Sequence, residues 1–184
     1  MPYPWYEKIS GLPDGNELLQ GDFLKGCPLI LPPAEFRIRS TDEAGAGTEF
    51  APEVMAFDVV ILSQSCDLQE KKVDLALVGP VWTLDELGTA HEAFKSQKMR
   101  EELRRGNLTG YHLLNVCDLD GLERAFCVVD FRRAFSLPLE YLRQLAGEAG
   151  PRLRLLPPYR EHLAQALARF YMRVGLPIGI PQFK

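Results

Sequence analysis

Nowhere does the sequence hold an apolar run near the roughly 20 residues that a membrane-spanning helix needs. Its first residues, Met1-Pro2-Tyr3-Pro4-Trp5, lack the basic stretch and apolar core of an export signal. Together these absences predict a soluble, cytoplasmic chain with no membrane partner. Cysteine is scarce, and the four present, Cys27, Cys66, Cys117 and Cys127, form no C-x-x-C pair. A chain of 184 residues can bury a core without disulfide staples, so reduced thiols are expected. There is no G-x-x-x-x-G-K, no G-x-G-x-x-G and no G-x-S-x-G. Nucleotide hydrolysis on a phosphate-binding loop and esterase chemistry at a nucleophile elbow therefore have no support. Histidine is rarer still, at three residues without an H-x-x-x-H pair. Zinc wants about four ligands, and Cys27, Cys66, His112 and Cys117 would meet only if the fold assembled them, so neither metal nor cofactor is expected.

What is present is ordinary globular material: 46% hydrophobic, 25% charged and 10% aromatic residues, consistent with a single domain over 1–184. The net charge of −4 hides an asymmetry. Residues 1–120 carry 11 basic and 20 acidic side chains, whereas 121–184 carry 10 basic and 5 acidic. A basic face over the whole chain is excluded, while a local cationic face built from the last third stays open. The plain alternative is charge complementarity within one fold.

Gly21-Asp22-Phe23-Leu24 leads into a Pro-containing, edge-type extended segment from Cys27 to Pro33. Glu35 to Arg39 alternates like a half-buried strand, and Ser40 to Pro52 reads as a loop. Val54 to Leu62 is the strongest local signal, a β-branched run expected to be a buried central strand, with Val73 to Val78 as its hairpin partner. Thr83-Leu84-Asp85-Glu86 has capping-box spacing, and the helix it opens is expected to run to about Arg105, polar nearly all round from Lys95 onward. Gly110 to Asn115 and Glu123 to Phe131 read as strands, and Leu139 to Ala146 as a short helix. Pro158-Tyr159 opens an amphipathic helix to about Val174, with Tyr159, Leu163, Ala166, Leu167, Phe170 and Val174 on one stripe. Strands that come in pairs with short connections predict an α+β fold: a small, strongly bent antiparallel sheet or SH3-like barrel with an inserted helix and a C-terminal amphipathic helix.

Two groups of residues suggest chemistry. Gln64-Ser65-Cys66-Asp67 sets a thiol beside a hydroxyl, an amide and a carboxylate at a strand end. A catalytic thiolate needs a base or cation to lower its pKa, so Cys66 would pair with His112, oriented by Asp67 or Asp130. The structural alternative is a turn closed by Ser63, Ser65 and Asp67 through backbone hydrogen bonds. On the last helix, His162, Gln165, Arg169 and Arg173 fall at i, i+3, i+7 and i+11 beside the apolar stripe, with Arg152, Arg154 and Arg160 close in sequence. Such a stripe could bind phosphate or an acidic surface, or serve as a solvated helix face. Asp130-Phe131-Arg132-Arg133 adds charge that an internal ion pair would equally explain.

The stretch Val59 to Leu68, containing Ser63-Gln64-Ser65-Cys66-Asp67-Leu68, and the segment Pro158 to Pro177 resemble a group of uncharacterised bacterial proteins. That group is marked by an SQSCDL-like segment and a PYxEHLxQAxARFxMRVGLP-like helix. Gly110 to Leu114 and Val128 to Arg132 share the likeness, which spans about two-thirds of the chain and brings no established activity. A fainter likeness, carried by Gly21-Asp22 and by Val59 to Ser63, is to small barrels of the MazF/PemK toxin type. The resemblance implies a bacterial defence or toxin setting, and from the fainter one RNA binding or cleavage.

Three functions are therefore in play. The first is a non-catalytic binding or accessory module that docks a protein or nucleic-acid partner through the basic last helix. The second is a hydrolase or transferase centred on Cys66 and His112, and the third an RNA-binding or RNA-cleaving barrel.

Overall fold

A computed structural model of the chain describes residues 3–10, 17–31, 53–70 and 72–172. In chain order the elements are β1 (Tyr6–Ile9), β2 (Phe23–Leu31), β3 (Glu53–Ile61), α1 (Ser65–Gln69), β4 (Leu75–Thr83) and α2 (Leu84–Ala90). A 3-10 turn (Glu92–Lys95), α3 (Gln97–Arg104), β5 (Tyr111–Leu114), β6 (Cys127–Asp130) and a second 3-10 turn (Phe131–Arg133) follow. The chain continues through β7 (Phe135–Pro138), α4 (Leu139–Glu148), β8 (Arg152–Leu155) and α5 (Tyr159–Tyr171). The fold is α+β and its ladders are antiparallel. Strands β2-β3-β4-β6-β5 form one path, β7 pairs with β4, and β1 with β8 makes a separate two-stranded ribbon.

Successive residues of β3 point to opposite faces, and both faces are buried. Val60 and, just past the strand, Leu62 join Phe23, Val81, Leu114, Val129, Leu155 and Leu163 in one core. Val59 and Ile61 join Leu24, Ala76, Val78, Leu139 and Leu142 in a second, under α1 and α4. Double-sided burial at its C-terminal end explains why Val59-Val60-Ile61 are consecutive β-branched residues with no alternation there. Phe23 of β2 and Leu114 of β5 lie at opposite ends of the sheet path and belong to the same core.

Among the described residues the sheet does not close into a barrel. The ribbon bridges the gap at one side by an isolated backbone pairing of Asp22 with Arg154. At the other side it does so by a side chain, the Tyr6 hydroxyl donating to the Asn115 carbonyl at 2.6 Å. Among the described residues the ladder is therefore open, which corrects the closed-barrel form of the expectation.

Close packing sets β4 deep in the sheet. A Cβ on Gly79 would stand 2.9 Å from Val129 Cγ1 and 3.0 Å from Leu62 Cδ1, so only glycine lets these strands approach. The strand continues through Gly79-Pro80 to Thr83, further than the expected Val78, because Pro80 faces Val59 in the ladder with both strands otherwise well paired. On its other side β4 meets β7 and then β6, one partner interrupted by the turn Phe131–Arg133.

Thr83 and Glu86 form the expected reciprocal cap, with Thr83 Oγ1 accepting from Glu86 N at 3.1 Å and Glu86 Oε2 accepting from Thr83 N at 2.8 Å. The long helix expected from it is three pieces instead. His91 leaves the helical conformation at φ −139°, and Ser96 starts α3 afresh by accepting from Met99 N. Phe94 and Leu103 fold these pieces back onto Val128. The strand expected at Glu35–Arg39 and the loop Ser40–Pro52 lie outside the described residues.

Candidate functional site

The basic residues of the last third separate into two populations. Asp22 is fully buried, and its carboxylate accepts from Arg152 Nε at 2.9 Å and from Arg154 Nε and Nη2, the latter at 2.9 Å. The Glu17 carbonyl accepts from both guanidinium groups, at 2.8 and 3.1 Å. These arginines, which the sequence places near a binding stripe, are instead internal to the fold. Arg132 is held likewise: Asp130 accepts from its Nε and Nη2 at 2.9 Å each, and its guanidinium lies 4.2 Å from the Tyr111 ring centroid. Arg160 pairs with Glu161.

The second population lines a cleft. Helix α5 buries Leu163 and packs Tyr159, Ala166, Leu167 and Phe170 against the first core. That packing leaves His162, Gln165 and Arg169 exposed on its neighbouring flank. Opposite them stand the end of α3, with Arg104, Arg105 and Gly106, and the start of β5, with Tyr111 and His112. The cavity between measures about 370 Å³, and no aspartate or glutamate is among the residues that line it. Arg104 and Arg105 donate to Glu101, at 2.6 to 2.9 Å. Hydrogen bonds first from Arg104 and then from Arg105 hold that carboxyl down to about 2. Among the described residues the side chains of His162, Gln165 and Arg169 make no hydrogen bond or salt bridge.

His112 also lines this cleft, its ring stacked near Phe131 with centroids 6.4 Å apart. Its Nε2 is buried and has no hydrogen-bond partner among the described residues. Burial, with the nearby His162 second, pulls the imidazole down to about 4, so the ring is neutral at pH 7.

Cys66 lies elsewhere. Gln64 occupies the N-cap of α1 without a side-chain cap, Ser63 Oγ accepts from Leu77 N at 2.8 Å, and Ser65 Oγ accepts from Gln20 N at 3.2 Å. The hydroxyls thus satisfy the backbone of neighbouring segments. Cys66 is exposed, and its Sγ lies 3.7 Å from Asp67 Oδ1. Leu68, two residues on, packs into the second core, whereas His112 sits on β5 at the far end of the sheet path beside the first. Among the described residues no hydrogen bond joins Cys66 to His112, the cleft that His112 lines does not include Cys66, and Asp130 faces Arg132 in place of an imidazole. The structure therefore does not assemble the Cys66–His112–Asp set that the sequence suggests.

The remaining stripe member, Arg173, lies outside the described residues. No family model, curated protein or solved structure matches the chain. Sequence reasoning singled out His162, Gln165 and Arg169 and, for another role, His112, but it missed Arg104, Arg105 and Tyr111. A signal existed in Arg104-Arg105-Gly106, two cations at a helix end stopped by a glycine at φ +73°.

Proposed function

We propose that the chain is a non-catalytic binding or accessory module that docks an anionic partner, protein or nucleic acid, through the cleft between α3 and α5. One observation carries this reading. Among the described residues the side chains of His162, Gln165 and Arg169 make no hydrogen bond or salt bridge, and they stand opposite Arg104 and Arg105 in a cavity whose described lining holds no carboxylate. Arg104 and Arg105 share the one carboxylate of Glu101 and Arg169 has none, so the cleft keeps a surplus of positive charge, which an incoming anion offsets while accepting charge-assisted hydrogen bonds. A solvated helix face would not need a facing wall with the same sign of charge. The setting, a bacterial defence or toxin system, rests on the resemblance described above, as does an SH3-like origin for the sheet.

The test is fluorescence anisotropy with a labelled single-stranded RNA and a labelled Asp/Glu-rich peptide, between 50 and 300 mM salt, as orders of magnitude that span the screening range. Wild type is compared with the double substitution Gln165→Glu, Arg169→Glu. The expected result is salt-sensitive binding of one of the two anions, weakened at least about tenfold in the variant at unchanged circular dichroism. Binding that is absent for both, or identical in the variant, removes the reading. Cleavage of the RNA during the assay would favour the third function over docking alone.

A further inference from the structure

The floor of the cleft is a strand edge. Side chains of β5 alternate: Tyr111 and Leu113 pack with Phe94 and Leu103 on the α3 side, while His112 and Leu114 turn to Phe131 and the core against which α5 packs. Yet Tyr111, His112 and Leu113 all line the one cleft, which consecutive residues of a strand do where its edge is presented. At that end of the sheet path β5 is paired with β6 alone. The two helices are thus the walls of a groove, and the outer edge of β5 runs between them.

The register fixes which backbone groups this edge carries. Phe131 N donates to the Gly110 carbonyl at 3.0 Å, which makes Tyr111 and Asp130 a non-hydrogen-bonded pair and commits the N–H and C=O of His112 and of Leu114 to β6. Leu113 therefore turns both its N–H and its C=O outward, and Tyr111 its C=O, while the Tyr111 N–H donates to Leu108 at 2.9 Å. The next outward carbonyl, that of Asn115, accepts from the Tyr6 hydroxyl, so β1 takes up the edge beyond the cleft. Within the cleft the outward groups of Tyr111 and Leu113 meet no other backbone group among the described residues. Sheet edges are ordinarily blunted by charge, proline or a bulge. At the other end of the path β2 carries Lys25, Pro28 and a register shift between Leu24 and Cys27, whereas Tyr111-His112-Leu113-Leu114 holds no lysine, proline or register shift.

An extended polypeptide matches such an edge, because its own N–H and C=O groups recur at the same spacing and answer the Leu113 N–H and both outward carbonyls. Phosphates only accept, and would leave those carbonyls without donors. Charge then specifies the polypeptide. An added strand sends alternate side chains toward the two walls. On one wall Arg104 and Arg105 share the single carboxylate of Glu101, and on the other Arg169 makes no salt bridge among the described residues, so positive charge is left over on both. We infer that the cleft takes up an extended acidic segment of a protein partner, which adds as a strand to the outer edge of β5 and sets its carboxylates against Arg169 and the Arg104–Arg105 pair. The inference rests on the docking reading and specifies its ligand.

Fluorescence anisotropy with a labelled, terminally blocked Glu-Val repeat peptide tests it, against the same peptide N-methylated along its backbone, a Lys-Val counterpart and an oligothymidylate. N-methylation removes the backbone donors and keeps every side chain and charge. The Glu-Val peptide is expected to bind at least about tenfold more tightly than each of the others. Its binding should also slow hydrogen exchange at the Leu113 amide, which faces away from β6. Leu113→Pro deletes that outward N–H and leaves the bonds of the β6 ladder in place, so it should weaken binding about tenfold. Should that variant fail to fold, the N-methylated peptide on the unaltered chain decides the matter. Equal binding of the N-methylated peptide, or unchanged exchange at Leu113, overturns the inference and leaves docking by charge standing. Tighter binding of the oligothymidylate overturns it in favour of a nucleic acid. Equal binding of the Lys-Val peptide, or no binding of either the Glu-Val peptide or the oligothymidylate, overturns the docking reading as well.

Discussion

Arg152 and Arg154 on β8 and Arg169 on α5 are the same kind of side chain within a short stretch of sequence, yet they do opposite things. The first two converge on Asp22, whose side chain is 0% exposed, while Arg169 lines a cavity and makes no hydrogen bond or salt bridge among the described residues. A buried carboxylate between two guanidinium groups is a fixed internal arrangement, because removing any member leaves an uncompensated charge out of reach of water. An exposed guanidinium is hydrated, contributes little to folding and remains available to another molecule. Positive charge in the last third of the chain thus divides into a part that folds it and a part that can bind.

The comparison breaks most directly at Asp22. Asp22→Asn should cost about 3–5 kcal/mol in urea unfolding, because Arg152 stays buried without its counter-charge. A loss under about 1 kcal/mol would show that β8 is wetter than its burial indicates, and would erase the distinction between the two populations.

A neutral group in the cleft sharpens it next. His112 titrates near 4 in the folded chain against an ordinary 6.5, so between those values the unfolded chain binds the proton first. Stability is therefore whole above about pH 6.5 and falls as the pH drops toward 4, by up to about 3 kcal/mol. Urea midpoints at pH 7 and pH 4 should differ more in wild type than in His112→Leu. An equal pH dependence would mean the imidazole takes up its proton without penalty.

Arg124 supplies the intermediate case, paired with Asp58 at 2.8 Å and set over the Phe23 ring at 5.5 Å from its centroid. A double-mutant cycle on Arg124→Gln and Asp58→Asn should return a coupling of about 1 kcal/mol. Arg169→Ala, at the other extreme, should leave the urea midpoint where it is while weakening anion binding. A clear loss of stability there would place Arg169 with the structural arginines.

How much of this was legible beforehand follows from the reach of each interaction. The Thr83–Glu86 cap joins residues three apart, and the α5 stripe repeats every three or four, so both appear in the structure as the sequence suggests. The buried end of β3 was legible because burial on both faces leaves the uninterrupted apolar stretch from Val59 to Leu62. In contrast β8 reads Arg-Leu-Arg-Leu, a period-2 strand whose polar positions resemble a basic patch until Asp22 is found beside them, 130 residues away from Arg152. The break of the expected 84–105 helix was hidden too, since Phe94 and Leu103 fold its pieces back onto a strand that comes later in the chain.

The same boundary runs through the candidate site. By itself the sequence determined the α5 flank of His162, Gln165 and Arg169, because helical periodicity alone puts them on one side. Only the tertiary structure decided that this flank faces Arg104 and Arg105 and that His112 joins it. It also decided that Cys66 does not, and that Arg152 and Arg154 are already neutralised. The reason is physical: periodicity acts over a few residues of one chain segment, whereas the charge state and availability of a side chain depend on burial and on partners brought from far along the chain.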